Sequence, residues 1–298
     1  MDPAVKLAAY RIPRRLLFGR LASNTRLSME RHLLITISED QTALFGVRFA
    51  ASFFSAKDHV RITLLYIAPG EDDPDVSATS ALSAAHEKCL SFGFSESMVD
   101  SKSLTRRTSL IKDILAEAQR GMYDAVVLGR RGVSRLEEVL GESTSRRILE
   151  ESAVTPVWIC RIPDPTRKNV LLCMDGSEQA YRMADHVGFI LGSEQDHDVT
   201  ILCVLEPGSD PESMNPVVQR ATALLTENGM DAKRITSRVE NNDNPAQTIA
   251  TLARDEGFAV VAAGRAASVG SVLGQLFTDS VSASLFRDSG GSTLWVAK

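Results

Sequence analysis

At 298 residues the chain is long enough for two ordinary domains, and its 44% hydrophobic and 24% charged residues are typical of globular proteins. No apolar run approaches the length of a membrane-spanning helix, so a membrane-embedded protein is not expected. The net charge is −5, but residues 1–28 hold six basic residues and one acid, which leaves the remainder at −10 and makes nucleic acid an unexpected partner.

The basic arm, residues 1–28, admits three interpretations. It is a membrane or targeting segment, a disordered tail, or an extension upstream of a true start at Met29, since MERHLLITISED opens directly on a strand. We favour a tail or a misplaced start, and we assign the arm no function.

Short apolar runs alternate with helical stretches through the first half. The runs HLLITI, ITLLYI, AVVLG and PVWIC suit parallel strands covered on both faces. A capping box from Ser38 to Gln41 is predicted to open the first helix, and Ser177 is the matching candidate in the second half. TSLIKDILAEAQRG predicts a helix with Leu110, Ile111, Ile114 and Leu115 on one face and its end at Gly121.

The second half repeats the first. Four segments of the first half align with segments of the second. HLLITISEDQTA aligns with NVLLCMDGSEQA, and VRITLLYIAP aligns with DVTILCVLEP. YDAVVLGRRG aligns with FAVVAAGRAA, and TPVWIC aligns with STLWVA. We expect domains at 29–161 and 169–298 joined by a linker at 162–168. The predicted fold is α/β: two tandem doubly wound, Rossmann-like domains, each with a five-stranded, mainly parallel sheet covered by helices. Ligands of such sheets bind at the carboxyl ends of the strands.

The cysteines indicate a reducing compartment. There are four, without a CxxC pair, and three lie in the apolar runs WIC, LLC and ILC, so buried thiols in a cytoplasmic protein are expected. The five histidines do not fall at ligand spacing, so no metal site is predicted. No Ser-His-Asp arrangement is legible, so no catalytic residue is expected.

The halves resemble domains of the universal stress protein family from about Arg31 to Lys298. The resemblance rests on the strand order, the DGS after one first strand, the VVLGRRG turn and the apolar last strand. In that family a first strand ending in Asp holds the adenosine end of ATP. A motif of Gly-x-x-Gly, a spacer of nine residues, and Gly-Ser or Gly-Thr holds the phosphates. Glycine lets backbone amides approach a phosphate, and a helix start adds positive charge.

The first half departs from the family motif at its end. Gly129 and Gly132 match the opening, but Gly141 follows after eight residues and Glu142 precedes Ser143 and Thr144. The carboxylate of Glu142 is therefore expected to lie among the residues that would bind the phosphates. The first strand also ends in Ile37 where the family has Asp, and isoleucine cannot accept a hydrogen bond from ribose.

The second half has other faults. Asp175 and Gly264 match the family, but Ala267 replaces the second glycine and Asp279 takes the third glycine's position, before Ser280. The resemblance thus implies a degenerate adenine-nucleotide site, with ATP and Mg²⁺ bound weakly or not at all. The candidate cofactor-binding residues are Gly129, Gly132, Gly141, Ser143, Thr144, Asp175, Gly264 and Ser280.

Three functions remain open from the sequence. The first is a stress-response or regulatory binding module with a degenerate site. The second is an ATP-binding switch or weak ATPase with one working site, and the third, least supported, is a receiver phosphorylated on Asp175. In the family the last strand commonly pairs across a dimer. VTPVWIC and STLWVAK are therefore predicted to pair within the chain as a pseudo-dimer, with a homodimer left open.

Overall fold

The computed structural model describes residues 30–38, 44–69, 75–129, 155–264 and 291–297. In this part of the chain, one sheet contains every strand, in the order β3-β2-β1-β4-β5-β10-β9-β6-β7-β8. The strands are β1 (Arg31–Ile37), β2 (Val60–Ala68), β3 (Val99–Thr105), β4 (Ala125–Leu128), β5 (Val157–Ile159), β6 (Val170–Cys173), β7 (Val199–Leu205), β8 (Ile235–Asn241), β9 (Val260–Gly264) and β10 (Thr293–Ala297).

Each half of the sheet has the same topology. All pairs within a half are parallel, and the only antiparallel pair that the described strands form joins β5 to β10. The strand order reverses between β1 and β4 in the first half and between β6 and β9 in the second. The predicted tandem doubly wound fold is therefore confirmed.

Helices cover both faces of the sheet. They are α1 (Phe45–Phe53), α2 (Asp75–Ser91), α3 (Leu110–Gly121), α4 (Glu178–Leu191), α5 (Asn215–Glu227) and α6 (Pro245–Asp255). Short 3-10 turns occupy Lys57–His59, Glu96–Met98, Pro211–Met214 and Ala232–Arg234. Buried side chains of α1, α2, α4 and α5 share one continuous core, whereas α3 and α6 pack into two separate cores on the opposite face.

Two of the predicted helix ends are confirmed. The α3 helix buries Ile111, Ile114 and Leu115 and ends at Gly121, as its apolar spacing predicts. The hydroxyl of Ser177 accepts a hydrogen bond from the amide of Ala180 at 3.2 Å and caps α4. Local capping chemistry therefore sets these boundaries.

The predicted capping box at Ser38 is wrong. Helix α1 begins at Phe45, and its N-cap is Leu44, which has a φ of 28° and makes no side-chain capping bond. A cap satisfies amides of the turn that directly follows it, so Ser38 is too far upstream to cap this helix.

The two halves meet where β5 pairs with β10. Trp295 lies opposite Trp158 in this antiparallel pair, and their rings stack with centroids 4.1 Å apart and an interplanar angle of 6°. Both side chains are fully buried. The predicted intrachain pairing of the last strands is thus present, and the stacked rings join the cores of the two halves into one.

Unlike side chains flank the stacked tryptophans. The ring of His186 lies 5.8 Å from each indole, and that of Phe49 lies 6.0 Å from Trp158 and 6.5 Å from Trp295. The indole nitrogen of Trp158 donates to Nε2 of His186 at 3.0 Å. The buried indole nitrogen of Trp295 has no hydrogen-bond partner among the described residues. We call the pairing of β5 with β10 and its stacked tryptophans the seam. The seam is therefore symmetric in shape but asymmetric in its polar contacts.

Polar contacts also tie the end of α1 to the linker and to the second half. The ammonium group of Lys168 donates to the carbonyl oxygen of Ser52 at 2.6 Å. The amide of Ser55 donates to Oε2 of Glu194 at 2.9 Å, and its hydroxyl donates to Asp196 at 2.8 Å. A cation at the last carbonyls of a helix is favoured by the helix dipole, so these bonds fix α1 against its neighbour.

The hydrogen bond to His186 should contribute measurably to stability. Because His186→Phe leaves the buried Trp158 nitrogen without an acceptor, we expect it to lower the free energy of unfolding by about 1–3 kcal/mol. Urea denaturation followed by tryptophan fluorescence measures this, since both tryptophans of the chain lie in the seam. His186→Gln, which keeps an acceptor, is the control and should recover part of the loss. Equal stability of wild type and His186→Phe would contradict the assignment.

Candidate functional site

The candidate site of each half lies at the carboxyl ends of its parallel strands. Strand register identifies equivalent positions: Leu33 pairs with Ile62 and Ala125, while Val170 pairs with Val199 and Val260. We call the two regions the first cleft and the second cleft. The first cleft is Ser38, Pro69, Arg106, Arg107 and Gly129, and the second cleft is Asp175, Glu206, Asn242, Asp243 and Gly264.

The register corrects two sequence assignments. Counting from Leu33 and Val170, the equivalent of Asp175 is Ser38, not Ile37. The first cleft thus keeps an exposed hydroxyl, which can accept a hydrogen bond, where a buried isoleucine was expected. The match of VRITLLYIAP to DVTILCVLEP is also wrong by one residue, because Ile62 corresponds to Val199. A slip of one residue would turn every side chain of the strand to the other face.

Asp175 shapes the turn between β6 and α4. Its Oδ1 accepts a hydrogen bond from the amide of Ser177 at 2.9 Å. Gly176 has a φ of 79°, and a Cβ there would lie 3.2 Å from the side chain of Val217 in α5. Asp175 therefore supports the turn, as in ordinary helix starts, while its other carboxylate oxygen has no hydrogen bond within the described residues.

Gly264 permits the closest backbone approach in the second cleft. A Cβ on it would lie 2.2 Å from the amide nitrogen of Ala180 and 2.3 Å from the carbonyl carbon of Gln179. The end of β9 therefore touches the first turn of α4, and only glycine fits. This contact brings the amides of a helix start, which favour an anion, to the edge of the sheet.

Gly129 takes the equivalent place in the first cleft with more space around it. A Cβ there would lie 3.6 Å from the ring of Phe45, an ordinary van der Waals contact. The structure brings Gly129 to the carboxyl edge in one half and Asp175 and Gly264 together in the other. The remaining predicted site residues lie outside the described residues: Gly132, Gly141, Ser143, Thr144 and Ser280.

The second cleft carries three carboxylates on neighbouring strands. Asp175 follows β6, Glu206 follows β7, and Asp243 follows β8 after Asn242, whose amide donates to the carbonyl of Leu205 at 2.8 Å. Neighbouring strands lie about 4.8 Å apart, so the three acids share one edge. Glu206 and Asp243 are exposed. This edge therefore carries negative charge.

The first cleft has no carboxylate at these three positions and carries positive charge after β3. The amide of Arg106 donates to the carbonyl of Ala68 at 2.9 Å, as Asn242 does in the other half. Arg106 therefore replaces Asn242, Arg107 replaces Asp243, and Pro69 replaces Glu206. Two exposed arginines thus follow β3, and one of them, Arg107, takes the position of a carboxylate. Sequence reasoning missed this reversal because none of these residues belongs to a motif, and strand register is the signal that identifies it.

The remaining chemistry of the described residues is sparse. They contain no group of three or more His, Cys, Asp or Glu side chains that would hold a metal ion. All four cysteines are free and buried, as expected, and burial raises the pKa of the Cys89 thiol to about 12 and that of Cys203 to about 11. These thiols are therefore poor nucleophiles. None of the described helices combines the length and the apolar character that crossing a membrane requires.

Glycine should be required at 264 and dispensable at 129. Because the Cβ of Gly264→Ala would overlap the backbone of α4, we expect a loss of about 3 kcal/mol in the free energy of unfolding, the upper end for overpacking. Gly129→Ala is the matched control and should change stability by less than about 0.5 kcal/mol. Urea denaturation followed by circular dichroism compares the two variants. Equal effects would contradict the difference in packing.

Known proteins share this architecture. A universal stress protein from Archaeoglobus fulgidus DSM 4304 is 18% identical, with a TM-score of 0.63 over 91% of this chain and 97% of that one. A Pseudomonas aeruginosa protein proposed to be a universal stress protein is 16% identical, with a TM-score of 0.57 over 91% and 94%. A universal stress protein in complex with cAMP is 18% identical, with a TM-score of 0.35 over 44% and 96%. At these identities the likeness to the first two proteins concerns the fold alone.

The family is identified by sequence. No curated protein matches the chain. The model of the universal stress protein family matches residues 29–161 and again residues 166–296. Because these two matches cover most of the chain, the protein belongs to the universal stress protein family.

Proposed function

We propose that this tandem universal stress protein is a stress-response or regulatory binding module whose adenine-nucleotide site is degenerate. The observation that carries the proposal is the acidic second cleft, where the exposed carboxylates of Glu206 and Asp243 lie at the same edge of the sheet as Asp175, the residue that matches the family's adenosine anchor. The four buried free thiols support a reducing, cytoplasmic setting. The domains are 29–161 and 169–298, joined at 162–168, and pair as an intrachain pseudo-dimer.

Charge repulsion is large enough to matter in the second cleft. Two like unit charges about 4 Å apart repel by about 1 kcal/mol in water and about 4 kcal/mol at a partly shielded surface. A triphosphate brings several charges, so the added carboxylates of Glu206 and Asp243 weaken its binding by roughly two decades or more. The helix start beside Gly264 offsets only part of this, because a helix end contributes about half a charge. The second cleft therefore keeps the shape of a nucleotide site but rejects polyphosphate.

One observation favours a second candidate function, an ATP-binding switch or weak ATPase with one working site. Arg106 and Arg107 give the first cleft a positive edge, and Ser38 offers a hydroxyl at the position of Asp175. Glu142, predicted from the sequence to enter the phosphate cradle, opposes them. The leading proposal is that Glu142 leaves ATP binding weak in the first cleft, while the carboxylates of the second cleft leave it absent there.

Calorimetry with MgATP on the full chain tests the proposal. We expect no saturable site tighter than about 100 μM, because charge repulsion and missing contacts weaken binding. Each decade of lost affinity corresponds to about 1.4 kcal/mol. A dissociation constant in the low micromolar range would reject the degenerate site. Saturation at one ATP per chain would then support the second candidate function, and saturation at two would reject both.

Replacing Glu142 separately tests the first cleft. If its carboxylate opposes the phosphates, Glu142→Gly should strengthen MgATP binding at least ten-fold in the same calorimetric titration. Glu137→Gly is the control, because it removes the same charge from the spacer between Gly132 and Gly141. It should change the affinity less than two-fold. Equal affinities of wild type and Glu142→Gly would show that another defect limits binding.

A further inference from the structure

We propose that the contact between residues 193–198 and the end of α1 is a proton-sensitive lock between the two halves, which opens when His197 takes up a proton. We call residues 52–55 and 193–198 the junction. His197 precedes β7 and is fully buried, and its ring centroid lies 4.4 Å from that of Phe53 at an interplanar angle of 62°. The ring of Phe53 in turn lies 5.4 Å from that of Trp295 in the seam. The lock goes beyond the proposed function, because no nucleotide takes part in it.

A proton on His197 is disfavoured while the junction is closed. The charged groups that face the ring are the ammonium of Lys168, the guanidinium of Arg234 and the carboxylate of Asp196. Burial, followed by the charge of Lys168 and with a further contribution from Arg234, lowers the pKa of His197 from 6.5 to about 4. The carbonyl of Phe53 and the carboxylate of Asp196 offset this only in part. The closed junction therefore holds the neutral ring.

The group that repels the protonated ring also holds the junction together. The guanidinium of Arg234 donates to the carbonyl oxygen of Glu194 at 2.7 Å and to that of His197. The carboxylate of Glu194 then accepts a hydrogen bond from the amide of Ser55, beyond the end of α1, at 2.9 Å. A positive charge on the ring therefore acts directly against the contacts that position residues 193–198.

The first half shows that the fold does not require a titratable group at this place. By strand register, His197 corresponds to Val60 and Arg234 corresponds to Met98. Val60 is fully buried as well. An apolar side chain thus fills the equivalent position, so the imidazole and its neighbouring guanidinium belong to one side of the molecule only.

Helix α1 connects the junction to the first cleft. It begins at Phe45, whose ring lies 3.6 Å from the place of a Cβ on Gly129, and it ends at the junction. Opening the junction removes the polar contacts that follow the last turn of α1. Acidification is therefore expected to loosen α1 before the rest of the molecule.

Hydrogen–deuterium exchange of the full chain at pH 7 and pH 5 tests the lock. Helix α1 is the reporter, and α6 is the internal reference because it packs in a separate core on the opposite face of the sheet. A pKa of about 4 in the closed junction and 6.5 in the open one shifts the opening equilibrium about twenty-fold between these pH values. After correction for the intrinsic pH dependence of exchange, the protection of α1 should fall at least ten-fold at pH 5, and that of α6 less than two-fold.

Three variants assign the response to one group. His197→Val copies Val60 of the first half and removes the proton acceptor, so the protection of α1 should become independent of pH. Glu194→Gln keeps an acceptor for the amide of Ser55 and should retain the wild-type response. His86→Gln removes a half-buried imidazole from α2, away from the junction, and should also behave like the wild type.

Each outcome supports or overturns the lock. Loss of the pH response in His197→Val alone supports it. An unchanged response in His197→Val, or loss of the response in Glu194→Gln, would assign the acid sensitivity to another group and overturn it. Equal loss of protection in α1 and α6 of the wild type would show general acid unfolding and would overturn the lock without any variant. The degenerate nucleotide site stands or falls separately, since no nucleotide is added.

Discussion

The pairing of β5 with β10 is the constraint on which the rest of the molecule depends. Each half alone would present an open strand edge and an exposed indole, and both liabilities disappear when Trp158 stacks on Trp295. The stack also makes the cores under α1, α2, α4 and α5 continuous. Because the two edges that a partner would use are already paired, further association of chains has to use a different surface. The outer strands β3 and β8 remain, and exposed polar and charged side chains cover much of both.

The antiparallel seam also determines where the clefts lie. The strands within each half are parallel to one another, but β5 and β10 run in opposite directions. The carboxyl ends of the two halves therefore lie at opposite edges of the sheet. A ligand in one cleft cannot touch a ligand in the other, so any coupling between them has to pass through the seam. The unequal neighbours His186 and Phe49 are placed on that route.

Much of this architecture follows from short-range patterns, and the exceptions have identifiable physical causes. Apolar runs mark the strands, and Ser177 marks the start of α4 because capping is local. Ser38 misleads because a serine followed by acidic residues is only a local signal, and the described helix α1 begins further along the chain, at Phe45. The strands β2 and β7 were aligned one residue apart because fully buried strands lack the alternation that reveals which face a side chain occupies.

The charge reversal between the clefts lay beyond sequence reasoning for a different reason. Arg107 and Asp243 occupy no motif, and only the pairing of β2 with β3 and of β7 with β8 makes them equivalent. The reversal was also inexpensive for the fold, because exposed side chains at strand ends rarely change stability by more than about 0.5 kcal/mol. The buried residues of the seam have no such freedom. Since the seam does not involve either cleft, one half can lose its affinity for polyphosphate while still completing the core of the other.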